Sequence, residues 1–386
     1  MQFIDLAAQQ DLIRDKIHAK IQAVLAHGKY IMGPEIKELE KRLADFVGVE
    51  HAVACSSGTD ALLLALMAYE VGPGDAILTS PFTFIATAEV ISLLGATPVF
   101  VDIDPKTFNM DPKHLGKAIA ALQEGSAEYP LPRTRGSALT LKGIIAVDLF
   151  GLAADYEAIN AIAKNCGLFV IEDAAQSFGG IYKDKRACAL ADMACTSFFP
   201  AKPLGGYGDG GMCFTGDEEM AEKMRSLSVH GQGSNKYENV RIGINGRLDT
   251  LQAAILHAKF DVFPKEIELR QEVAARYSNL LSKADNGIVT PYVPPGCQSV
   301  WAQYSVLAKD ENHRSELQSR LKEAGIPTAI YYPKPLHLQT AFRSLGYRSG
   351  DFPVSEDCSR RIFSLPMHPY LTEEAQQQIA EVSSWK

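Results

Sequence analysis

The 386-residue sequence has no Cys-x-x-Cys pair, no run of lysines or arginines, and no apolar stretch long enough to span a bilayer. Each absence removes a class of function. The seven cysteines (55, 166, 188, 195, 213, 297 and 358) are dispersed and odd in number, which argues against a disulfide framework and against a zinc site. Those inside apolar runs, Cys195 and Cys213 among them, read as small buried hydrophobes. Net charge is −8 with no basic stripe, so nucleic acid is excluded as a partner. Basic residues that matter should instead gather in a local pocket for an anionic ligand. No basic leader followed by an apolar core opens the chain, so the expectation is a cytoplasmic protein without a membrane segment. A Walker-type phosphate loop is missing, and no internal repeat is apparent.

What remains is an ordinary soluble balance, 46% hydrophobic and 22% charged. The length suits a large domain, placed at 1–264, and a smaller one at 265–386. Helical spacing runs through residues 9–27 and again through Glu35–Val47, stopped by Gly28 and Gly48. After that, short apolar runs alternate with helical segments. Strands are expected at Ala52–Cys55, Ala76–Thr79, Pro98–Val101, Ile144–Val147, Leu168–Ile171, Cys195–Phe199 and Met212–Thr215. Helices fall between them at 60–70, 83–94, 111–122, 155–165 and 217–227. That alternation implies a mostly parallel seven-stranded sheet with helices on both faces, an α/β fold. The last two strands lie too close for a helical crossover and should be antiparallel. Gln123–Lys142 is polar and aperiodic and reads as a surface insertion. Beyond Pro291 a mixture of strands (Trp301–Leu307, Ala329–Tyr332) and helices (Arg314–Ala324, Ala375–Val382) suggests a small α+β domain.

Ligands of open α/β sheets bind at the carboxyl ends of strands, and four groups fall there. Ser56-Ser57-Gly58-Thr59-Asp60 follows the first strand and opens a helix, as an anion cradle or a plain N-cap. Phe82-Thr83-Phe84 follows the second and offers a ring for stacking or for the core. Glu172-Asp173 ends a very apolar strand, where a carboxylate needs a cation, either Mg²⁺ or a protonated ring nitrogen. Thr196–Gly206 carries Lys202 among apolar and small residues, either a solvated lysine or an amine whose charge burial disfavours. Gly206, Gly208 and Gly211 formally match G-x-G-x-x-G. They lead into a strand where a dinucleotide site needs a helix, so they read as a turn beside Lys202. A phosphate cradle, an aromatic, an aspartate and a lysine on one sheet together describe a pyridoxal phosphate pocket.

With those motifs in view, the sequence resembles the sugar aminotransferases of the DegT/DnrJ/EryC1/StrS family, of the aspartate aminotransferase-like fold (fold type I). The matching stretches run in order from Gly33-Pro34-Glu35 through Ser57–Leu62, Glu172–Ser177, Ser197–Lys202 and Asn245–Asp249 to Ser364–Tyr370. The resemblance implies that Lys202 is the Schiff-base lysine and proton shuttle. It also implies that Asp173 pairs with the pyridine nitrogen, Gln176 lies near the phenolic oxygen, and Phe84 stacks on the ring. Gly58, Thr59 and Ser197 would hold the phosphate, and Asn245 would reach a neighbouring subunit's phosphate across a homodimer. Glutamate would be the donor and a nucleotide-linked ketosugar the acceptor. The wording of Phe199–Gly205 and Ser364–Tyr370 is most similar to enzymes that aminate C3 of UDP-2-acetamido-2-deoxy-3-keto-glucuronic acid for lipopolysaccharide O-antigen. Arg247 is then the candidate for the sugar carboxylate, with His230, Tyr331, Tyr332, Lys334 and His337 as further substrate contacts. Relatives usually read His-Tyr-Pro where this chain has Tyr331-Tyr332-Pro333. Amination of a keto-6-deoxy sugar, or a non-catalytic binding role, are the competing readings.

Overall fold

A computed structural model describes residues 1–126, 128–133, 138–235, 237–283 and 287–384. Its central sheet contains β1 (His51–Cys55), β2 (Asp75–Thr79), β3 (Thr97–Phe100), β4 (Thr140–Val147) and β5 (Phe169–Asp173). A short hairpin of β6 (Ile181–Tyr182) and β7 (Lys185–Arg186) precedes the last two sheet strands, β8 (Met193–Ser197) and β9 (Gly211–Thr215). The spatial order is β1-β9-β8-β5-β4-β2-β3. Pairs β2–β3, β2–β4, β4–β5 and β5–β8 are parallel, while β9 is antiparallel to both β8 and β1. The expected antiparallel pair is therefore present, and β9 is the one strand of the sheet that runs the other way.

Side chains alternate across a strand, and here both faces are covered. Ala76 and Leu78 of β2 and Ile144 and Ala146 of β4 belong to one apolar cluster, whereas Ile77 and Ile145 belong to another. Near-continuous apolar strands follow directly from this two-sided burial. The covering helices begin where their caps dictate. Side chains of Asp111, Asp155 and Asp217 accept from the backbone N–H of Lys113, Ala158 and Met220, opening Pro112–Glu124, Tyr156–Cys166 and Glu218–Leu227.

Helix Phe263–Ser282 is continuous, because Pro264 stands in its first turn, where proline costs no hydrogen bond. Its start packs Phe263 and Ile267 against the sheet, and its end packs Val273, Tyr277 and Leu281 into a second core. That second core includes the two-stranded sheet of β11 (Tyr304–Leu307) and β12 (Ile362–Leu365) and the helices Glu311–Glu323 and Glu373–Ser383; β10 (Cys297–Gln298) pairs instead with β6. Two expected strands are shorter or absent. Only Tyr304–Leu307 of the 301–307 run is a strand, and Ala329–Tyr332 contributes a single bridge, Ala329 to Ser364.

The 123–142 stretch also departs from a plain surface insertion. Tyr129 is 6% exposed, and its hydroxyl accepts from the backbone N–H of Asp102 at 3.0 Å. Arg133 N–H donates to Leu345 O at 2.7 Å, and β4 already begins at Thr140. Residue 127 and residues 134–137 of that stretch lie outside the described residues.

Candidate active site

A cavity of about 390 Å³ opens at the carboxyl ends of β1, β2, β5 and β8. Because β9 alone is reversed, the ends of β1 and β8 point the same way with only the start of β9 between them. Gly211 pairs with Ser197 on one side and Cys55 on the other. A Cβ on Gly211 would lie 2.3 Å from Ser57 O, so only glycine lets the Ser57 turn approach this closely. Gly58 meets the same constraint: a Cβ there would lie 2.6 Å from Ser197 Cβ. Helix Gly58–Ala68 starts at this junction, with Ser57 Oγ accepting from Asp60 N–H at 3.0 Å and Ser56 Oγ bonded to the Asp60 carboxylate. Gly58 and Thr59 occupy its first turn, where backbone N–H groups have no partner within the helix. Those donors, the helix dipole and the Ser197 hydroxyl line one end of the cavity.

Asp173 ends β5 on the cavity wall and is 5% exposed. Thr87 Oγ1 donates to its Oδ2 at 2.8 Å and Ala175 N–H to its Oδ1 at 3.2 Å. Burial raises its pKa, a shift opposed by these hydrogen bonds and by the Lys202 ammonium. The adjacent Glu172 points to the other face of the strand. Its carboxylate accepts from the backbone N–H of Cys188 and Leu190 at 2.6 and 3.0 Å, and burial beside Asp148 pushes its pKa well up.

Lys202 sits in a tight loop after β8. Its N–H donates to Phe199 O at 2.8 Å, and Gly206 N–H to Phe198 O at 2.7 Å. Gly205 is required there, since a Cβ would lie 2.4 Å from Pro200 O. Desolvation lowers the Lys202 pKa, with the Asp173 carboxylate pulling the other way. The glycines 206, 208 and 211 connect β8 to β9, as the reading of a turn required. Across the cavity, Phe84 lies 56% exposed although it is a large apolar ring. Gln176 is buried, accepting from Phe150 N–H at 2.8 Å through Oε1 and donating to Tyr332 Oη at 3.2 Å.

Comparison with known proteins decides what such a site belongs to. Residues 11–383 match the DegT/DnrJ/EryC1/StrS aminotransferase family. The chain belongs to that family. It is 52% identical over 371 residues, 96% of each chain, to a Pseudomonas aeruginosa protein named UDP-2-acetamido-2-deoxy-3-oxo-D-glucuronate aminotransferase. Among solved structures, a DegT/DnrJ/EryC1/StrS aminotransferase from Brucella abortus superposes with a TM-score of 0.93 at 49% identity, covering 99% of this chain and 98% of the other. A Bacillus subtilis relative solved with bound PMP cofactor superposes at 0.86 with 28% identity, covering 99% and 82%. As a member of the DegT/DnrJ/EryC1/StrS family, the chain is a pyridoxal-phosphate-dependent aminotransferase of the aspartate aminotransferase-like fold.

The residues present fit that cofactor. A buried carboxylate whose pKa burial raises has a use for a cationic ring nitrogen. An exposed phenyl face at a cavity wall has a use for a planar partner. The unspent N–H groups beside Gly58 and Ser197 suit a phosphate. Together with Gln176, these residues could hold the cofactor with Lys202 at its reactive end.

Nine of the expected residues line this one cavity: Gly58, Thr59, Phe84, Asp173, Gln176, Ser197, Lys202, Tyr331 and Tyr332. The others do not. His230 and Arg247 line a separate, open groove of about 840 Å³ with Arg225 and Arg241. Arg247 Nε is buried there without a hydrogen-bond partner among the described residues. Asn245 is exposed nearby, bridged to Val229. Lys334 is exposed and lines neither space. His337 is corrected: it is 2% exposed, bonded to Glu356 Oε1 at 3.1 Å, and packed on Phe352 at 4.8 Å between centroids. It lines neither space, and its Nδ1 is buried without a hydrogen-bond partner among the described residues.

The cavity also contains residues that sequence reasoning missed. Thr87 holds Asp173, and Ile4, Asp209, Phe199 and Gln303 complete the walls. Thr87 lies three residues past Phe84 in the helix expected at 83–94, about one turn on and so on the same face, and could have been inferred. Gln303 and Ile4 carried no local signal.

Proposed function

We propose that the chain moves the amino group of glutamate to C3 of UDP-2-acetamido-2-deoxy-3-keto-glucuronic acid, working as a homodimer. The observation that carries the acceptor is the 52% identity, across nearly the whole length, to the P. aeruginosa protein named for that sugar. The product would supply diacetamido uronic acids for lipopolysaccharide O-antigen, and the seven free thiols suit a cytoplasmic protein.

Bound pyridoxal phosphate supplies an electron-accepting ring that stabilises negative charge at the reacting carbon. The chain's own residues do the rest. Gly58, Thr59 and Ser197 anchor the phosphate at the helix N-terminus. Asp173, oriented by Thr87, keeps a proton on the ring nitrogen, and Phe84 and Gln176 fix the plane of the ring. Lys202 Nζ, kept towards its neutral form by desolvation, takes the proton from the α-carbon of glutamate and later delivers one to C3 of the sugar.

The need for a second copy follows from charge. The acceptor carries a diphosphate and a carboxylate, yet Lys202 is the one cation among the described residues lining the cavity. The groove holding Arg247 and His230 is richer in cations, with Lys223, Arg225, Arg241 and Arg247 against Glu219 and Glu222. In a homodimer, Arg247 and Asn245 of one copy would serve the cavity of the other, with Arg247 taking the carboxylate as a bidentate pair. Exposed Tyr30, Ile31, Met32 and Ile242 support such a contact. Arg247→Ala should cripple turnover of the uronate while barely affecting a keto-6-deoxy sugar, which lacks the carboxylate. An unchanged rate with the uronate would remove Arg247 from that role.

A further inference from the structure

Most polar side chains on the cavity wall are already engaged. Asp173 is held by Thr87, Gln176 is bonded to Phe150 and Tyr332, and Ser197 Oγ accepts from Phe199 N–H at 3.2 Å. Gln303 is different. Its Oε1 is buried with no hydrogen-bond partner among the described residues. A buried carbonyl without a donor is costly, so a ligand is the natural source of one.

The position of Gln303 is well determined. It immediately precedes β11, and its backbone N–H faces Phe150 O at 3.5 Å, on the residue whose own N–H is bonded by Gln176. It lies with Tyr331 and Tyr332 on the part of the wall contributed by the C-terminal half of the chain, whereas the phosphate end and Asp173 come from the sheet. Gln303 also lines a second, small cavity of about 20 Å³ with Leu149, Phe150, Pro291 and Trp301. That space is largely apolar and of the order of one water or methyl group.

A buried amide carbonyl without a donor, bordering a small apolar space, matches a secondary amide that carries both an N–H and a methyl group. Resting on the acceptor proposed above, we infer that Gln303 reads the substituent on carbon 2 of the sugar. Its Oε1 accepts the acetamido N–H, and the acetyl methyl turns to the small apolar cavity. Carbon 2 is bonded to carbon 3, so its substituent must meet the wall close to the reacting centre. A hydroxyl at carbon 2 is shorter and fills no apolar space, so Gln303 is a specificity-determining residue for acetamido sugars. A site built to hydrogen-bond a group discriminates strongly against analogues lacking it.

The test uses the holoenzyme in the reverse direction, with 2-oxoglutarate as amino acceptor. Two amino donors are compared: UDP-2-acetamido-3-amino-glucuronic acid and its 2-hydroxy congener. Gln303→Met keeps the length of the side chain and removes both polar ends. The expected result is a ten- to hundredfold loss of kcat/KM for the acetamido sugar, carried mainly by KM, so that the wild-type preference over the congener collapses towards one. Retention of the wild-type preference by Gln303→Met would overturn the assignment. Failure of the wild type to turn over the acetamido uronate would instead sink the substrate reading, and this assignment with it. Retained cofactor colour in the variant shows that the fold and cofactor site are intact.

Discussion

Gly58→Ala tests whether the cofactor is held by close backbone approach at the junction of β1, β8 and β9. The added methyl would lie 2.6 Å from Ser197 Cβ and 3.2 Å from both its Cα and Oγ. Carbon atoms in ordinary contact sit about 3.5–4.0 Å apart, so the helix start and the strand end must separate by roughly 1 Å. Neither side yields easily, because Ser197 ends a strand paired with Gly211, and Gly211 itself has no room beside Ser57 O. A displacement of that size takes an N–H···O bond from about 2.9 Å to beyond hydrogen-bonding range. In the cradle as proposed, two donors, Gly58 and Thr59 N–H, would bind the phosphate. Charge-assisted bonds contribute about 1.5–3 kcal/mol each, so cofactor affinity should fall by about a hundredfold or more. Overpacking at this junction costs about 1–3 kcal/mol of apoenzyme stability, partly offset by alanine's helix preference of up to about 1 kcal/mol, so stability should fall less than cofactor binding does. Titration of apoenzyme with pyridoxal phosphate, followed by absorbance, measures the first effect, and thermal melting of the apoenzyme measures the second. Wild-type cofactor affinity in Gly58→Ala would refute the cradle.

Further predictions concern groups away from the cavity wall. Lys259 is 1% exposed, and burial lowers its pKa to about 8, partly opposed by Glu266. An unfolded chain restores the ordinary lysine value, so between pH 8 and about 10.5 the unfolded state binds more protons and rising pH stabilises the fold. Relative to Lys259→Met, the wild type should gain up to about 3 kcal/mol across that window in urea denaturation. Parallel pH profiles for the two proteins would contradict a buried, destabilised ammonium. His337→Ala should lower stability by about 1–3 kcal/mol through loss of the Glu356 bond and core packing, seen as a lower melting temperature. The KM for the sugar should stay put; a large rise in KM with unchanged melting would return His337 to the substrate site.

The seven sheet strands were legible because two-sided burial makes continuous apolar runs, and the lysine loop because its flanking glycines and apolar residues have few other uses. The phosphate cradle, Asp173 and Phe84 were legible as residue types at strand ends. What local pattern could not carry is which strands neighbour which. The insertion of reversed β9 between β1 and β8, which brings Gly58 to Ser197, depends on pairing across more than 150 residues. The opposite fates of Glu172 and Asp173 depend on which face of β5 each side chain takes and on the remote N–H groups of Cys188 and Leu190. Gln303 and Ile4 come to the cavity from segments without a motif, and Arg247 and His230 come to a different surface altogether.

The central claim is that Lys202 carries the cofactor and moves protons in an amino transfer from glutamate. It is tested most directly by adding glutamate to purified, cofactor-loaded protein and following its visible absorbance. The account predicts a yellow protein that bleaches with glutamate and regains its colour with the 3-keto uronate, and a Lys202→Ala variant that remains folded and does neither. A wild-type protein that stays yellow in glutamate, or a Lys202→Ala variant that turns over normally, would contradict it.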